Sequence, residues 1–149
     1  MKLPPFFVVF FFSAVVVVHG QTADELTLKN IIESETQSFT QMSFADVAKK
    51  FWLLDQKTRA LVTISDGTQI FANQDDMLAN NSTPPPGHAT FLKTNFRFVV
   101  NGNLASASYD QVVTITETGD KLYSKELHIF QKVADVWKIH LSSVHQYVP

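Results

Sequence analysis

The sequence predicts an α+β fold in which N-terminal helices pack on a curved, mainly antiparallel sheet. Apolar residues recur at helical spacing between residues 22 and 55, and they alternate with polar residues over most of the chain that follows. The helices come first and the long strands come later, without the regular alternation of parallel α/β proteins. This order is typical of α+β domains.

The first 20 residues have the pattern of a secretory signal peptide. Lys2 precedes an uncharged apolar run from Phe6 to Val18, and Val18 and Gly20 supply small residues near a cleavage point. The run is shorter than the about 20 residues that span a bilayer. We therefore expect a signal peptide at residues 1–20 and one domain at residues 21–149, in a protein that is exported to the periplasm or secreted. An uncleaved N-terminal anchor is the alternative.

Composition limits the partners and the chemistry. The chain of 149 residues has no cysteine, which excludes disulfides and thiol catalysis, and its formal net charge is −2 without a basic run. A nucleic-acid partner is therefore not expected, and neither is membrane binding once the signal peptide is removed. The histidines and carboxylates match no metal signature, and no glycine-rich phosphate loop is present, so we expect no metal and no cofactor.

Two helices are predicted before the strands. Thr22 and Glu25 have the spacing of a capping box at the start of the first helix, and Ser43 is a good N-cap for the second. Glu35 lies in the middle of the apolar stripe of the first helix, where a carboxylate is unexpected. The stripe is formed by Leu28, Ile31, Ile32, Phe39 and Met42.

The remaining chain predicts turns and strands. Asp66-Gly67 indicates a hairpin turn, Asn73 caps a short helix, and the prolines of residues 80–88 define a loop. Four long strands then follow one another through short turns, so we expect an antiparallel meander. They cover residues 91–100, 104–116, 122–132 and 136–148.

Four sequence segments, in the order in which they follow one another, resemble the SnoaL-like branch of the nuclear-transport-factor-2-like superfamily. They are ESETQSFTQMSFADVAKKFW, ISDGTQIFANQDDM, VVNGNLASASYD and ELHIFQKVADVWKIHLSSVH. The resemblance implies a cone-shaped fold with a cavity and a homodimer formed through the sheet. It says little about chemistry, because this fold hosts unrelated functions. Glu126 is a departure, since relatives often place an arginine at about that position.

Strand parity places candidate side chains relative to the cavity. Strict alternation in the last strand puts Ser143 and His145 on the face of Trp137. In the preceding strand Glu126 and His128 share one side, but both sides hold apolar residues, so parity leaves open which side faces inward. The candidate ligand-binding residues are Glu35, Phe39, Phe51, Tyr109, Glu126, His128, Trp137 and His145.

Three functions remain open from the sequence. The preferred one is an exported, homodimeric protein that binds a small, largely apolar ligand in the cone. The second is an isomerase or dehydratase that uses Glu35 and His145 as acid and base, because burial would raise the pKa of Glu35. The third is a homodimeric protein-interaction module without a ligand. A purely structural interpretation has Glu35 bonded to Tyr109 or a strand histidine, and His128 on the surface or on the dimer face.

Overall fold

Three helices and six strands build the domain in the computed structural model, which describes residues 21–55 and 57–149. The expected signal peptide lies outside the described residues. Within them, no helix is both long and apolar enough to cross a bilayer. The helices are α1 (Ala23–Ser38), α2 (Phe44–Phe51) and α3 (Gln74–Ala79). The strands are β1 (Arg59–Thr63), β2 (Gln69–Asn73), β3 (Ala89–Asn101), β4 (Leu104–Ile115), β5 (Lys121–Val133) and β6 (Val136–Tyr147).

The helix starts are those that the sequence predicts. Thr22 and Glu25 form the expected capping box on α1, and the Ser43 side chain accepts a hydrogen bond from the first turn of α2. Asn73 caps α3. The predicted hairpin turn joins β1 to β2 and places Gly67 at a φ of 86°, a left-handed conformation that glycine adopts without strain.

The strands form one mixed sheet in the order β2-β1-β6-β5-β4-β3. Strands β3 to β6 are antiparallel neighbours, so the predicted meander is confirmed, and β1 adds to β6 in parallel. The α+β prediction is confirmed as well. Because β1 lies beside β6, the β1–β2 hairpin extends the sheet beyond the meander and brings α3 next to α2.

The hydrophobic core lies between the helices and one face of the sheet. Leu28 and Ile32 of α1 and Val47 of α2 are fully buried against Phe130 and Ile139 from the two central strands. Burying such side chains stabilises the fold by about 1.5–3 kcal/mol each. The core residues of α1 lie toward its N-terminus. The C-terminal half of α1 borders a cavity.

A β-bulge in β6 changes the parity that strict alternation predicts. Phe130 pairs with Ile139 but Ile129 pairs with Leu141, so His140 is an extra residue on β6. Beyond the bulge, Ser142 is buried on the helix side of the sheet and His145 is exposed on the other side. The expectation that Ser143 and His145 share the face of Trp137 is therefore wrong.

Candidate ligand cavity

A cavity of about 440 Å³ opens between the helices and the concave face of the sheet. The C-terminal half of α1, together with α2 and α3, forms one side, and residues of strands β1 to β6 form the other. Its walls are largely apolar and include Phe39, Phe44, Trp52, Val62, Met77 and Phe91. Its polar groups include Glu35, Gln111, Glu126, His128, Ser142 and Gln146.

A second, larger depression of about 790 Å³ lies between α1 and the edge strand β3. Glu33, Gln37 and Lys93 are among its lining residues. Its carboxylate, Glu33, is exposed, and Phe91 is the one aromatic residue among its described lining residues, whereas the smaller cavity has two buried carboxylates and several aromatic walls. The smaller cavity is the better candidate site, because concave, mostly apolar surfaces with a few convergent polar groups are typical of ligand sites.

Glu35 enters the cavity from the buried face of α1. Its side chain is only 4% exposed, and its Oε1 accepts a hydrogen bond of 2.9 Å from the indole Nε1 of Trp52. Among the described residues, Oε2 has no hydrogen-bond partner. Burial raises the pKa of Glu35 from 4.5 to about 7, although the Trp52 hydrogen bond and the charge of Lys93 oppose the shift.

Glu126 lies on the cavity side of β5 and is held by three donors. The Tyr109 hydroxyl donates to its Oε2 at 2.7 Å, while the Gln111 amide and the Ser124 hydroxyl donate to its Oε1. The residue is therefore a fixed, fully bonded acceptor on the cavity floor.

His128 follows Glu126 on the same face of β5 and is 3% exposed. Its Nδ1 lies 3.3 Å from the Tyr109 hydroxyl oxygen. Since the proton of that hydroxyl goes to Glu126, Nδ1 must carry a hydrogen and donate it, which leaves Nε2 as an unprotonated acceptor. Burial lowers the pKa of His128 to about 3, with help from the nearby positive charge of Lys93.

Lys93 on β3 lies behind this floor rather than in the cavity. Its Nζ donates to the side-chain oxygen of Gln111 and lies 4.8 Å from the centre of the Tyr109 ring. Burial lowers the pKa of Lys93, while Glu126 and Glu35 raise it. Gln111 thus bridges the two charged groups, because its side-chain oxygen accepts from Lys93 and its amide nitrogen donates to Glu126.

The structure brings half of the predicted site residues together. Glu35, Phe39, Glu126 and His128 line the cavity, and β5 therefore turns its Glu126 side inward. Tyr109 lies directly behind them in the hydrogen-bond network. The others do not reach the cavity.

Phe51 and Trp137 belong to the hydrophobic core, and His145 is exposed beyond the bulge. The structural interpretation of Glu35 also named the wrong partners, because Trp52 rather than Tyr109 or a histidine donates a hydrogen bond to it. His128 is buried, whereas that interpretation placed it on the surface or on the dimer face.

Sequence reasoning missed three side chains that hold the carboxylates of the candidate site in place, which are Trp52, Gln111 and Lys93. A buried tryptophan requires an acceptor for its N–H, and this was the available signal for Trp52. Gln111 and Lys93 belong to strands that carry no unusual pattern at these positions. Their roles depend on the pairing of β3 with β4, in which Lys93 lies opposite Gln111.

Solved structures with the same arrangement of helices and sheet share little sequence with this chain. The association domain of C. elegans CaMKII is 10% identical, with 86% of this chain and 98% of that chain covered and a TM-score of 0.62. A protein of unknown function with a cystatin-like fold from Nostoc punctiforme is 12% identical, with coverages of 86% and 95% and a TM-score of 0.63. An NTF2-like protein from Novosphingobium aromaticivorans is 13% identical, with coverages of 83% and 81% and a TM-score of 0.62.

The fold is NTF2-like. No protein-family model and no curated protein sequence matches the chain. At these identities the similarity concerns the NTF2-like fold alone, and the solved structures include proteins of unknown function. What the cavity does therefore depends on its own residues.

Proposed function

We propose that this protein binds a small, largely apolar ligand in the cavity of its NTF2-like domain. The observation that carries the proposal is a cavity of about 440 Å³ with aromatic and aliphatic walls and a buried, hydrogen-bonded polar floor. A module used only for protein contacts has no need for buried Glu35 and His128 beside empty volume, because each costs desolvation free energy.

Native mass spectrometry of the protein purified from its own host tests this proposal. A small molecule present at one copy per chain supports it. Ala72→Phe, which places a ring in the cavity, should release that molecule, whereas Gln69→Phe on the other face of the same strand should retain it. If the protein carries no molecule, and Ala72→Phe and wild type respond identically to a panel of apolar compounds, the proposal fails.

An enzyme is the second candidate, favoured by the pKa of about 7 at a cavity-lining Glu35. A group that titrates near neutrality suits general acid–base catalysis, as in isomerisation or dehydration. His145 does not reach the cavity, and His128 is the histidine that lines it together with Glu35. Unchanged turnover of an identified substrate by Glu35→Gln would rule Glu35 out as its acid or base.

We also propose that the domain forms a homodimer through the outer face of its sheet. Apolar side chains on that face include Val99, Leu104 and Leu127, which are 67%, 51% and 38% exposed. Several exposed apolar side chains on one face of a sheet favour a protein interface. Light scattering should give twice the chain mass, and Leu127→Lys should give monomers; a wild-type monomer would contradict the proposal.

Two further proposals concern the chain as a whole. The phrases VVNGNLASASYD and ELHIFQKVADVWKIHLSSVH support assignment to the SnoaL-like branch of the NTF2-like proteins. The apolar segment from Phe6 to Val18 supports export with cleavage near Gly20. N-terminal sequencing of the protein recovered from its host should begin near Gln21, and a retained Met1 would contradict cleavage.

A further inference from the structure

The charged groups around the cavity are unbalanced. Glu35, Asp76 and Glu126 contribute carboxyl groups to its lining, whereas none of the lining residues that the structure describes is a lysine or an arginine. Asp76 is exposed at the rim and caps α3. Deeper in the cavity, Glu35 and Glu126 share the positive charge of Lys93, which lies behind the floor. If both carboxyl groups are ionised, two negative charges face this one positive charge in the described part of the interior.

Two buried hydrogen-bonding positions on the floor are unused acceptors. Oε2 of Glu35 and Nε2 of His128 have no partner among the described residues, and both side chains are more than nine-tenths buried. The neighbouring donors of Trp52, Tyr109 and Gln111 are already bonded to the two carboxylates. The Ser142 hydroxyl, at the strand position paired with His128, also has no hydrogen-bond partner among the described residues and can donate or accept. A ligand that bonds to Glu35 and His128 does so by donating hydrogen bonds.

We propose that the ligand is a small organic cation, with a primary ammonium group bonded to an aromatic or aliphatic body. The inference rests on the proposed binding function and specifies its ligand class. The ammonium group supplies three N–H donors for the free acceptors of Glu35 and His128, and one positive charge, which no lysine or arginine supplies among the lining residues that the structure describes. Its apolar body lies against Phe39, Phe44 and Met77, and aromatic walls add cation–π attraction.

The volume suits a ligand of this class. A dry apolar cavity of about 150 Å³ accommodates benzene, so a cavity of about 440 Å³ has room for a ring with a short aminoalkyl chain. A buried ammonium ion is costly unless it is paired and hydrogen-bonded. Glu35 supplies both, and binding of one monocation removes the charge imbalance.

Three compounds of matched size test the charge preference: 2-phenylethylamine, 2-phenylethanol and phenylacetate. Isothermal titration calorimetry at pH 8 should show the amine binding at least about tenfold more tightly than the alcohol, a factor that corresponds to 1.4 kcal/mol. Phenylacetate should not bind. Glu35→Gln should reduce the affinity for the amine to that for the alcohol, while Glu33→Gln, on the exposed side of α1, should leave it unchanged.

A pH series on the wild-type protein gives a second readout that requires no variant. Protonation of Glu35, whose pKa is about 7 next to Trp52, Lys93 and Glu126, should weaken amine binding between pH 8 and pH 6. His128 stays neutral in this range, and an alkylammonium ion stays charged, as lysine does with a pKa of about 10.4. Binding that is independent of pH would exclude Glu35 as the counter-ion and overturn the proposal.

The remaining outcomes separate the two proposals. If the alcohol binds as tightly as the amine, or if phenylacetate binds best, the cavity binds ligands but the cation preference is wrong. If none of the three compounds binds at millimolar concentration, and Ala72→Phe behaves as wild type, both the cation preference and the binding function fail.

Discussion

Helix α1 carries two carboxylates that make the same hydrogen bond in opposite surroundings. Asp24 accepts from Trp137 Nε1 at 2.8 Å, and Glu35 accepts from Trp52 Nε1 at 2.9 Å. The two acids are three helical turns apart and lie on one face of α1. Between them they bind both tryptophans of the chain.

Their pKa values shift in opposite directions. The side chain of Asp24 is 40% exposed, and the Trp137 hydrogen bond and the Lys132 ion pair of 3.0 Å hold its pKa below the ordinary range. Glu35 is buried, and its pKa rises to about 7 despite an equivalent hydrogen bond. The comparison shows that solvent access, rather than the indole hydrogen bond, decides the sign.

By the same rule, burial lowers the pKa of a base. The buried His128 should therefore have the largest effect on the pH dependence of stability. Its pKa is about 3 in the folded protein against 6.5 in an unfolded chain, so stability is complete above pH 6.5 and falls as the pH drops toward 3. The full loss is about 5 kcal/mol at 1.36 kcal/mol per pKa unit. In urea unfolding from pH 7 to pH 3.5, His128→Asn should remove most of this loss.

Asparagine is chosen because its amide can donate to Tyr109 from nearly the position of Nδ1. His88→Asn is the control, since His88 is exposed and pairs with Glu117 at the surface. A wild-type pH dependence that survives in His128→Asn would show that burial does not shift this imidazole.

Glu35→Gln should have the next largest effect, with the opposite sign. The folded pKa of about 7 lies above the ordinary value of 4.5, so wild-type stability falls as the pH rises from 4.5 through 7. The variant has no such loss, and by pH 8 it should be more stable than wild type by up to about 3 kcal/mol. Urea unfolding at pH 5 and pH 8 measures the difference.

Glu33→Gln, two residues earlier on the exposed side of α1, should change stability equally at both pH values. Between pH 4.5 and 6.5 the contributions of Glu35 and His128 oppose each other, so the wild-type profile is nearly flat there. A Glu35→Gln variant that gains nothing at pH 8 would mean that the carboxylate is better solvated than its 4% exposure indicates.

Trp52→Phe tests the hydrogen bond in the buried member of the pair. Loss of the N–H removes a stabilising interaction from ionised Glu35, so its pKa should rise further above 7. Hydrogen bonds to charged groups contribute about 1.5–3 kcal/mol, and the variant should lose about this much stability at pH 8 but less at pH 5. Carboxyl carbon NMR titration reads the pKa directly, and an unchanged or lower value would contradict this role of Trp52.

The sequence predicts the features of this fold that depend on neighbouring residues. The capping box at Thr22, the cap at Asn73 and the turn at Gly67 follow from local backbone chemistry, and the structure has all three. The order of the meander follows from short connections between long strands. The burial of Glu35 follows from its place in the apolar stripe of α1.

The details of the site depend on contacts between distant residues, which the pattern does not contain. One extra residue at His140 reverses the parity of β6, so Ser142 rather than His145 reaches the cavity. No turn residue or glycine signals this bulge. The pairing of Glu35 with Trp52 likewise depends on how α2 packs against α1.

Asp24→Asn should have the smallest effect and completes the comparison. Because the folded pKa of Asp24 is lowered, its contribution to stability is present above the ordinary value of 3.8 and is lost as the pH falls through the folded value. The variant should therefore melt slightly below wild type at pH 7 and together with it near pH 2. In a Trp137→Phe background, Asp24→Asn should lower the melting temperature by less, because the indole hydrogen bond is the largest cause of the lowered pKa of Asp24. If Asp24→Asn instead stabilises the protein at pH 7, as Glu35→Gln should at pH 8, then the difference in solvent exposure does not explain how Asp24 and Glu35 differ.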